Sequence, residues 1–498
     1  MSPKILVIRP DAIGDVVLMI PMLNTIKKSI PDAQIYPLLS AYTAPLLDPH
    51  DAVKEVIIDW KKSGKAKGVI GFLKYMKFIK DQHFDMVIHS YCDPYYTLLT
   101  YLAGIPLRIG DQQRLLPALM MNRAVPQYFR HLYVHEVEHN IALLKGIGCP
   151  ITKVEEMNLH VPNVPLIQLE LELSKREAKD KKLIMIHPTT GGGNRPWSLS
   201  GYAKLIDLIH TQSNYQVLLT GFGKKDEEVV SDLLSQCQTS PINLVNQTSI
   251  TELKKVIQRS CLVIGTDTGP THIAAALKVP VIGITPTKFV KSCRWGPWQT
   301  PNKIISHPEH CPYVCNPYEC QKQDCIEAIS PERVFTGIQS FLSGPLVIDK
   351  SRRDWIQHSV TIGVYLSEHS ELPRLKKWVR LSSSQSLRVV IICTRRSLFK
   401  AIREEAFPVL ELVYCPWYQW RSLYQIITRK DINLIQLMPN KARPIWEKII
   451  RNIVATQMYV PPMILPEHIN INSEKAFFTD IVETLKGNFK TKDQIHPQ

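Results

Sequence analysis

Lys4-Ile-Leu-Val-Ile-Arg-Pro-Asp-Ala-Ile-Gly-Asp15 opens the chain as a strand, a loop and a helix start. Lys4 to Ile8 is a short β-branched run, and Arg9 to Asp15 is rich in turn formers. From Val16 to Ser29 the apolar residues take helical spacing, which Pro31-Asp32 ends. Gln34 to Leu39 then returns as a strand, and Val53–Ile58 and Met86–His89 follow with helical stretches between and after. Such alternation predicts an α/β fold with a mostly parallel sheet covered by helices.

The theme breaks at Val161–Lys182, where Val-Pro-Asn-Val-Pro leads into a charged connector or solvated helix over Glu170–Lys182. It then restarts with strands at Leu183–Ile186, Tyr215–Thr220, Cys261–Gly265 and Val281–Ile284, and helices at Ser200–His210 and Thr271–Leu277. Ser330-Pro-Glu-Arg-Val reads as a last helix start, and the domain ends near Ser343. A third restart supplies strands at Val360–Leu366, Leu387–Cys393, Val409–Tyr414 and Ile432–Leu437. Three domains are therefore expected, at 1–165, 182–345 and 355–498, the last an accessory α/β-like module.

At 498 residues, 45% hydrophobic and 21% charged, the composition is that of a globular protein and excludes a disordered or fibrous one. The formal charge of +15 favours anionic partners without choosing among nucleic acid, membrane and phosphorylated small molecules. It is unevenly placed: residues 350–498 hold 23 Lys and Arg against 13 Asp and Glu, an excess of +10 that leaves +5 for the rest. No signal peptide is read after Met1, and the run Val16–Leu23 is too short to span a bilayer, so a reduced, cytoplasmic protein is expected.

Four motifs carry chemistry. In Gly265-Thr-Asp-Thr-Gly-Pro-Thr-His272, a strand end leads through a polar loop into a helix with Pro270 in its first turn. Unpaired N–H groups there suit a phosphate, whereas the simpler reading has Asp267 and Thr268 only capping the helix. In His187-Pro-Thr-Thr-Gly-Gly-Gly-Asn-Arg195, the glycines permit close backbone approach, Thr189 and Thr190 offer hydroxyls, and Arg195 can pair with phosphate oxygens. A flexible surface loop has the same composition. Asp15, at the first helix start, is either a cap or a general base at a cleft. Cys311, Cys315, Cys320 and Cys325 can hold a zinc ion or form a reduced structural cluster. His131, His135 and His139 read as a solvated or packed helix face, and Trp417 and Trp420 as core rather than a stacking platform for nucleic acid.

Taken together, the chain resembles the family 9 glycosyltransferases, the lipopolysaccharide heptosyltransferases among them. The resemblance covers about residues 4–343. It rests on the opening strand with Ile13-Gly14-Asp15 and Pro21, on Pro31-Asp32-Ala33, and on His187–Trp197. Asp267–His272 with Ala274-Ala-Ala-Leu, Arg294-Trp-Gly-Pro-Trp298, the cysteine segment and Ile329–Val334 complete it.

The resemblance implies a GT-B architecture: two Rossmann-like domains with the active site in the cleft between them. It implies inverting transfer, without a catalytic metal, from a nucleotide-sugar such as ADP-heptose to a lipid-linked lipopolysaccharide core. Asp15 becomes the base on the acceptor hydroxyl. Thr189, Thr190, Arg195, Asp267, Thr268, Gly269 and His272 become donor-binding residues. Arg195 stands where some members carry Lys, and the Gly191–Gly193 run is unusually flexible for a phosphate loop. A catalytically inactive nucleotide-sugar-binding protein, or another GT-B enzyme such as a nucleotide-sugar epimerase, would share these features. No nucleic acid is expected, and the basic module after residue 350 suits peripheral contact with anionic lipid on the inner face of the cell membrane.

Overall fold

The computed structural model describes residues 2–111, 120–125, 135–149, 154–190, 196–285, 294–306 and 328–346, and five further strands between Thr361 and Ile464. The first six strands are β1 (Lys4–Ile8), β2 (Gln34–Leu39), β3 (Ile57–Ile58), β4 (Met86–His89), β5 (Leu107–Asp111) and β6 (Arg123–Val125). They form one parallel sheet in the order β3-β2-β1-β4-β5-β6. The next six, β7 (Lys182–His187), β8 (Tyr215–Leu219), β9 (Ile242–Asn243), β10 (Ser260–Gly265), β11 (Val281–Thr285) and β12 (Asn302–Ser306), repeat the plan in the order β12-β11-β10-β7-β8-β9. Each sheet reverses direction of winding once, between β1 and β4 and between β7 and β10. Loops leaving the strand ends at such a reversal bound the ligand crevice of doubly wound sheets.

Centrality explains the sequence of these strands. Ile5 to Ile8 of β1 and Leu183 to Ile186 of β7 are buried on both faces, so they read as unbroken apolar runs. Edge strands lack that constraint. The edge strands β6, β9 and β12 carry Arg, Asn or Lys or span only two residues, and the inner β5 carries Arg, Gly and Asp, so hydrophobic patterning does not reveal them. For the same reason the strand expected over Val53–Ile58 shrinks to Ile57–Ile58.

The helix expected over Val16–Ser29 is two helices, Ile13–Val17 and Ile20–Ser29. Pro21 falls in the first turn of the second, where its missing N–H costs nothing, and the break precedes it. The charged connector holds a helix at Ile167–Lys175. The last helix among the described residues, Pro331–Ser343, starts on Ser330, whose Oγ accepts from the Arg333 N–H at 3.2 Å.

The two six-stranded halves make one compact unit. A single apolar core runs through both, with Ile5, Val16 and Leu23 of the first half joined to Leu169, Met185, Ile273 and Ala274 of the second. The second unit contains a five-stranded parallel sheet, β13 (Thr361–Leu366), β14 (Arg388–Cys393), β15 (Leu410–Tyr414), β16 (Leu434–Leu437) and β17 (Met463–Ile464), ordered β15-β14-β13-β16-β17. Four of these five were expected. The fifth is two residues long and beyond the reach of periodicity.

Candidate active site

The first reversal point places Arg9, directly after β1, beside Ser90, directly after β4, because Ile8 and His89 lie in register. The Arg9 Nη1 donates to the Ser90 carbonyl at 2.6 Å and to its Oγ at 3.2 Å. Ser90 Oγ donates to Asn140 Oδ1 at 2.7 Å, and Asn140 Nδ2 donates to the Leu18 carbonyl at 3.1 Å. With its backbone contacts fixed in this way, the guanidinium presents Nη2 to Asp15 Oδ1 and, at 3.0 Å, to Glu136 Oε1. Its Nε lies 3.2 Å from Asp11 Oδ1.

Asp15 sits in the first turn of the Ile13–Val17 helix, yet the N-cap is Ala12 and makes no side-chain cap. Asp15 is therefore not the capping residue; its carboxylate is held by Arg9. Its side chain is 19% exposed, whereas those of Arg9 and Glu136 are 4% and 1% exposed. Glu136 carries the second half of the network. Its Oε2 accepts from Arg294 Nε at 3.1 Å and Nη2 at 2.8 Å, so one buried carboxylate joins arginines from both halves.

Burial opposes ionisation of Glu136, but Arg9 and Arg294 outweigh it and hold the carboxyl down at about 2. Burial would likewise disfavour the Arg9 cation, and Asp15, Asp11 and Glu136 more than reverse that. Asp11 goes the other way: burial pushes it up to about 6 against the pull of Arg9, with Asp15 and Glu136 adding to the rise.

The second reversal point is built differently. His187 pairs with Gly265 in register, so Thr189 and Asp267 stand two residues past the same rung. Thr189 is buried and its Oγ1 lies 3.2 Å from His187 Nε2, while His187 Nδ1 lies 3.3 Å from Thr220 Oγ1. Burial lowers the basicity of His187. Thr190, half-buried, ends the described part of this loop. Arg195 and Gly191 to Gly193 lie outside the described residues, as do the four motif cysteines, His131, Trp417 and Trp420.

Thr268 is the N-cap of the Gly269–Ala276 helix, and its N–H donates to Thr271 Oγ1 at 3.2 Å. Asp267 is not a cap. Its Oδ1 lies 3.1 Å from Nε2 of the buried His272. Thr268 thus occupies the cap position and Asp267 does not.

The two helix starts meet. A Cβ placed on Gly14 would fall 2.6 Å from His272 Cδ2, and one placed on Gly269 would fall 2.8 Å from Ile13 Cβ. Neither is a distance that real carbons adopt, so both positions require glycine for close approach. The Ile13-Gly14-Asp15 turn and the Gly269–His272 turn are thereby pressed together. This gives Gly269 a packing role apart from any contact with a donor.

Ser90, Glu136 and Asn140 escape sequence reasoning, because nothing in the chain links position 136 to positions 9 and 294. Of the histidine face, His135 and His139 prove packed rather than solvated. His135 caps the Glu136–Ala142 helix and its Nε2 lies 2.9 Å from the Gly296 carbonyl, with its ring against Trp298. The Arg294–Trp298 motif is therefore where the second half grips the first.

Residues 72–326 match glycosyltransferase family 9 (heptosyltransferase). Lipopolysaccharide heptosyltransferase 3 of Escherichia coli is 26% identical over 294 residues, which cover 57% of this chain and 83% of that protein. Two solved structures share the fold. The family 9 glycosyl transferase of Veillonella parvula aligns with a TM-score of 0.57 at 19% identity, over 68% of this chain and 97% of its own. The E. coli ADP-heptose lipopolysaccharide heptosyltransferase II aligns with a TM-score of 0.54 at 21% identity, over 68% and 98%. The twinned parallel sheets are thus a GT-B core, and the chain belongs to glycosyltransferase family 9.

Proposed function

We propose that this glycosyltransferase moves a heptose from ADP-heptose onto a lipid-linked lipopolysaccharide core, with inversion at the anomeric carbon. The observation that carries the reading is the contact between the two helix starts. It sets the partly exposed Asp15 beside the Asp267–His272 segment, one from each half of a GT-B core. The donor is taken from the name of the E. coli relative, which includes ADP-heptose.

In this reaction the Asp15 carboxylate accepts the proton of the acceptor hydroxyl as that oxygen bonds the anomeric carbon. The bond from that carbon to the diphosphate breaks, and ADP departs with the electron pair. One displacement inverts the configuration. Arg9 orients the base, and positioning of this kind is worth orders of magnitude in rate. In this proposal Thr189, Thr190, Arg195 and the positive end of the Gly269–Ala276 helix dipole stabilise the diphosphate, where charge develops as it leaves. Asp267 and His272 hold the sugar. These groups replace a metal ion in the proposal, so excess chelator leaves the rate unchanged.

Asp15→Asn tests the reading. Transfer should fall by about 10²–10⁴-fold, the range for loss of a general base, with donor affinity by calorimetry retained. Mass spectrometry of glycolipid products should show one added heptose for the parent enzyme. A free sugar released without an acceptor product would point to an epimerase, and near-full activity of the variant would remove Asp15 as the base. Among the described residues, no helix is long and apolar enough to cross a membrane. In this proposal the acceptor is met at the cytoplasmic face of the membrane by peripheral contact.

A further inference from the structure

The first half carries a surface that the reaction does not use. Between Lys61 and Lys80 the chain has seven lysines, at 61, 62, 65, 67, 74, 77 and 80, and no acidic residue. The segment runs from the loop after β3 into the Gly68–Asp81 helix. That helix buries Gly71, Tyr75 and Ile79 on one side. On the other side Val69, Ile70 and Leu73 are 75%, 71% and 48% exposed. Lys77 continues the Ile70–Leu73 stripe at helical spacing. Three large exposed apolar side chains flanked along the chain by lysines are costly in water and fit one environment well, an anionic lipid surface.

Two observations make this a fixed face. The buried Asp59 carboxylate accepts from the N–H groups of Lys61 at 3.1 Å and Lys62 at 3.0 Å, and from the hydroxyls of Tyr75 at 3.1 Å and Tyr96 at 2.7 Å. One side chain thereby ties the lysine turn to both neighbouring helices. The turn also leaves the C-terminal end of β3, and in a parallel sheet that is the edge from which Arg9 and Ser90 emerge. The neighbouring Pro94–Leu102 helix adds exposed Leu98, Tyr101 and Leu102.

We infer that Lys61–Lys80 is a membrane-docking face, which lays Val69, Ile70 and Leu73 into the headgroup layer of an anionic bilayer. It holds the acceptor-side edge of the first half against the surface from which a lipid-linked acceptor projects. The inference rests on the proposed function for that acceptor. The binding assay contains no acceptor, so the two fail separately.

The test is co-sedimentation of the full chain with vesicles of phosphatidylethanolamine and phosphatidylglycerol, and with vesicles of phosphatidylcholine alone. Lysines near an anionic surface contribute about fivefold each. The variant Lys62→Gln/Lys67→Gln/Lys74→Gln should therefore lose about a hundredfold in partitioning to the anionic vesicles. Val69→Ser/Ile70→Ser should lose about tenfold. All five positions are exposed, and unchanged thermal unfolding will show that the variants fold. Parent-like partitioning of either variant overturns the inference, as does equal binding of the parent to phosphatidylcholine. A loss seen only with Lys376→Gln/Lys377→Gln overturns it in favour of the basic third module.

Discussion

The two reversal points occupy equivalent places in twinned sheets and have opposite electrostatic character. Around the ends of β1 and β4, two arginines and three carboxylates interlock through the buried Arg9 and Glu136; Asp11, Asp15 and Arg294 are half-buried, and Arg294 comes from the second half. After β7 and β10 lie threonines and two histidines, with Asp267 the one carboxylate among the described loop residues. A charged network fixes geometry, since each member is held by others and pays heavily for losing one. The hydroxyl-and-imidazole edge has no comparable web of ion pairs among its described residues. In the proposed reaction the interlocked side carries the base, and the other is the receptive side for the donor.

The sharpest way to break the contrast is at Glu136. Glu136→Gln leaves Arg9 and Arg294 buried without their shared counter-charge. Removing one partner of such a pair costs about 3–5 kcal/mol. Denaturant unfolding should show a loss of that size, and the transfer rate should fall as Arg9 ceases to orient Asp15. A parent-like midpoint would mean that the network contributes nothing to folding.

Gly269→Ala drives a methyl group against Ile13 and should cost about 1–3 kcal/mol, read as a lower thermal midpoint. Asp267→Ala acts on the receptive side only. It should weaken donor binding by about tenfold, about 1.4 kcal/mol, with little change in unfolding, and an unchanged calorimetric affinity would remove Asp267 from the donor site.

The smallest effect is in the pH profile. Glu136 is depressed to about 2 from 4.5, so its contribution is present above pH 4.5 and is lost as pH falls toward 2. Asp11 is raised from 3.8 to about 6, so the folded state binds the extra proton between these values and stability declines as pH rises across them. Asp11→Asn should flatten that decline while leaving the acid limb intact.

The sheets were legible because their central strands are unbroken apolar runs, and the motif loops were legible because they leave those strands. Asp15, Asp267 and His272 are all found at reversal points. What could not be read is pairing over distance. Arg9 and Arg294 lie inside recognisable motifs, but their common partner Glu136 follows a histidine in a helix with no signature of its own. The seven lysines of Lys61–Lys80 are plain in the chain, yet counting charge by large segments dilutes them into a half with little net excess. Only the exposure of Val69, Ile70 and Leu73 gives that run a direction.

The facing glycines have a mechanical consequence. Where Gly269 meets Ile13 Cβ no rotamer change can open the contact, and where Gly14 meets His272 only a shift of the buried imidazole would. The halves therefore meet at an unyielding contact between Asp15 and the Asp267–His272 segment. A side chain larger than hydrogen at either glycine must therefore shift the opposite helix start, and with it the spacing between Asp15 and Asp267.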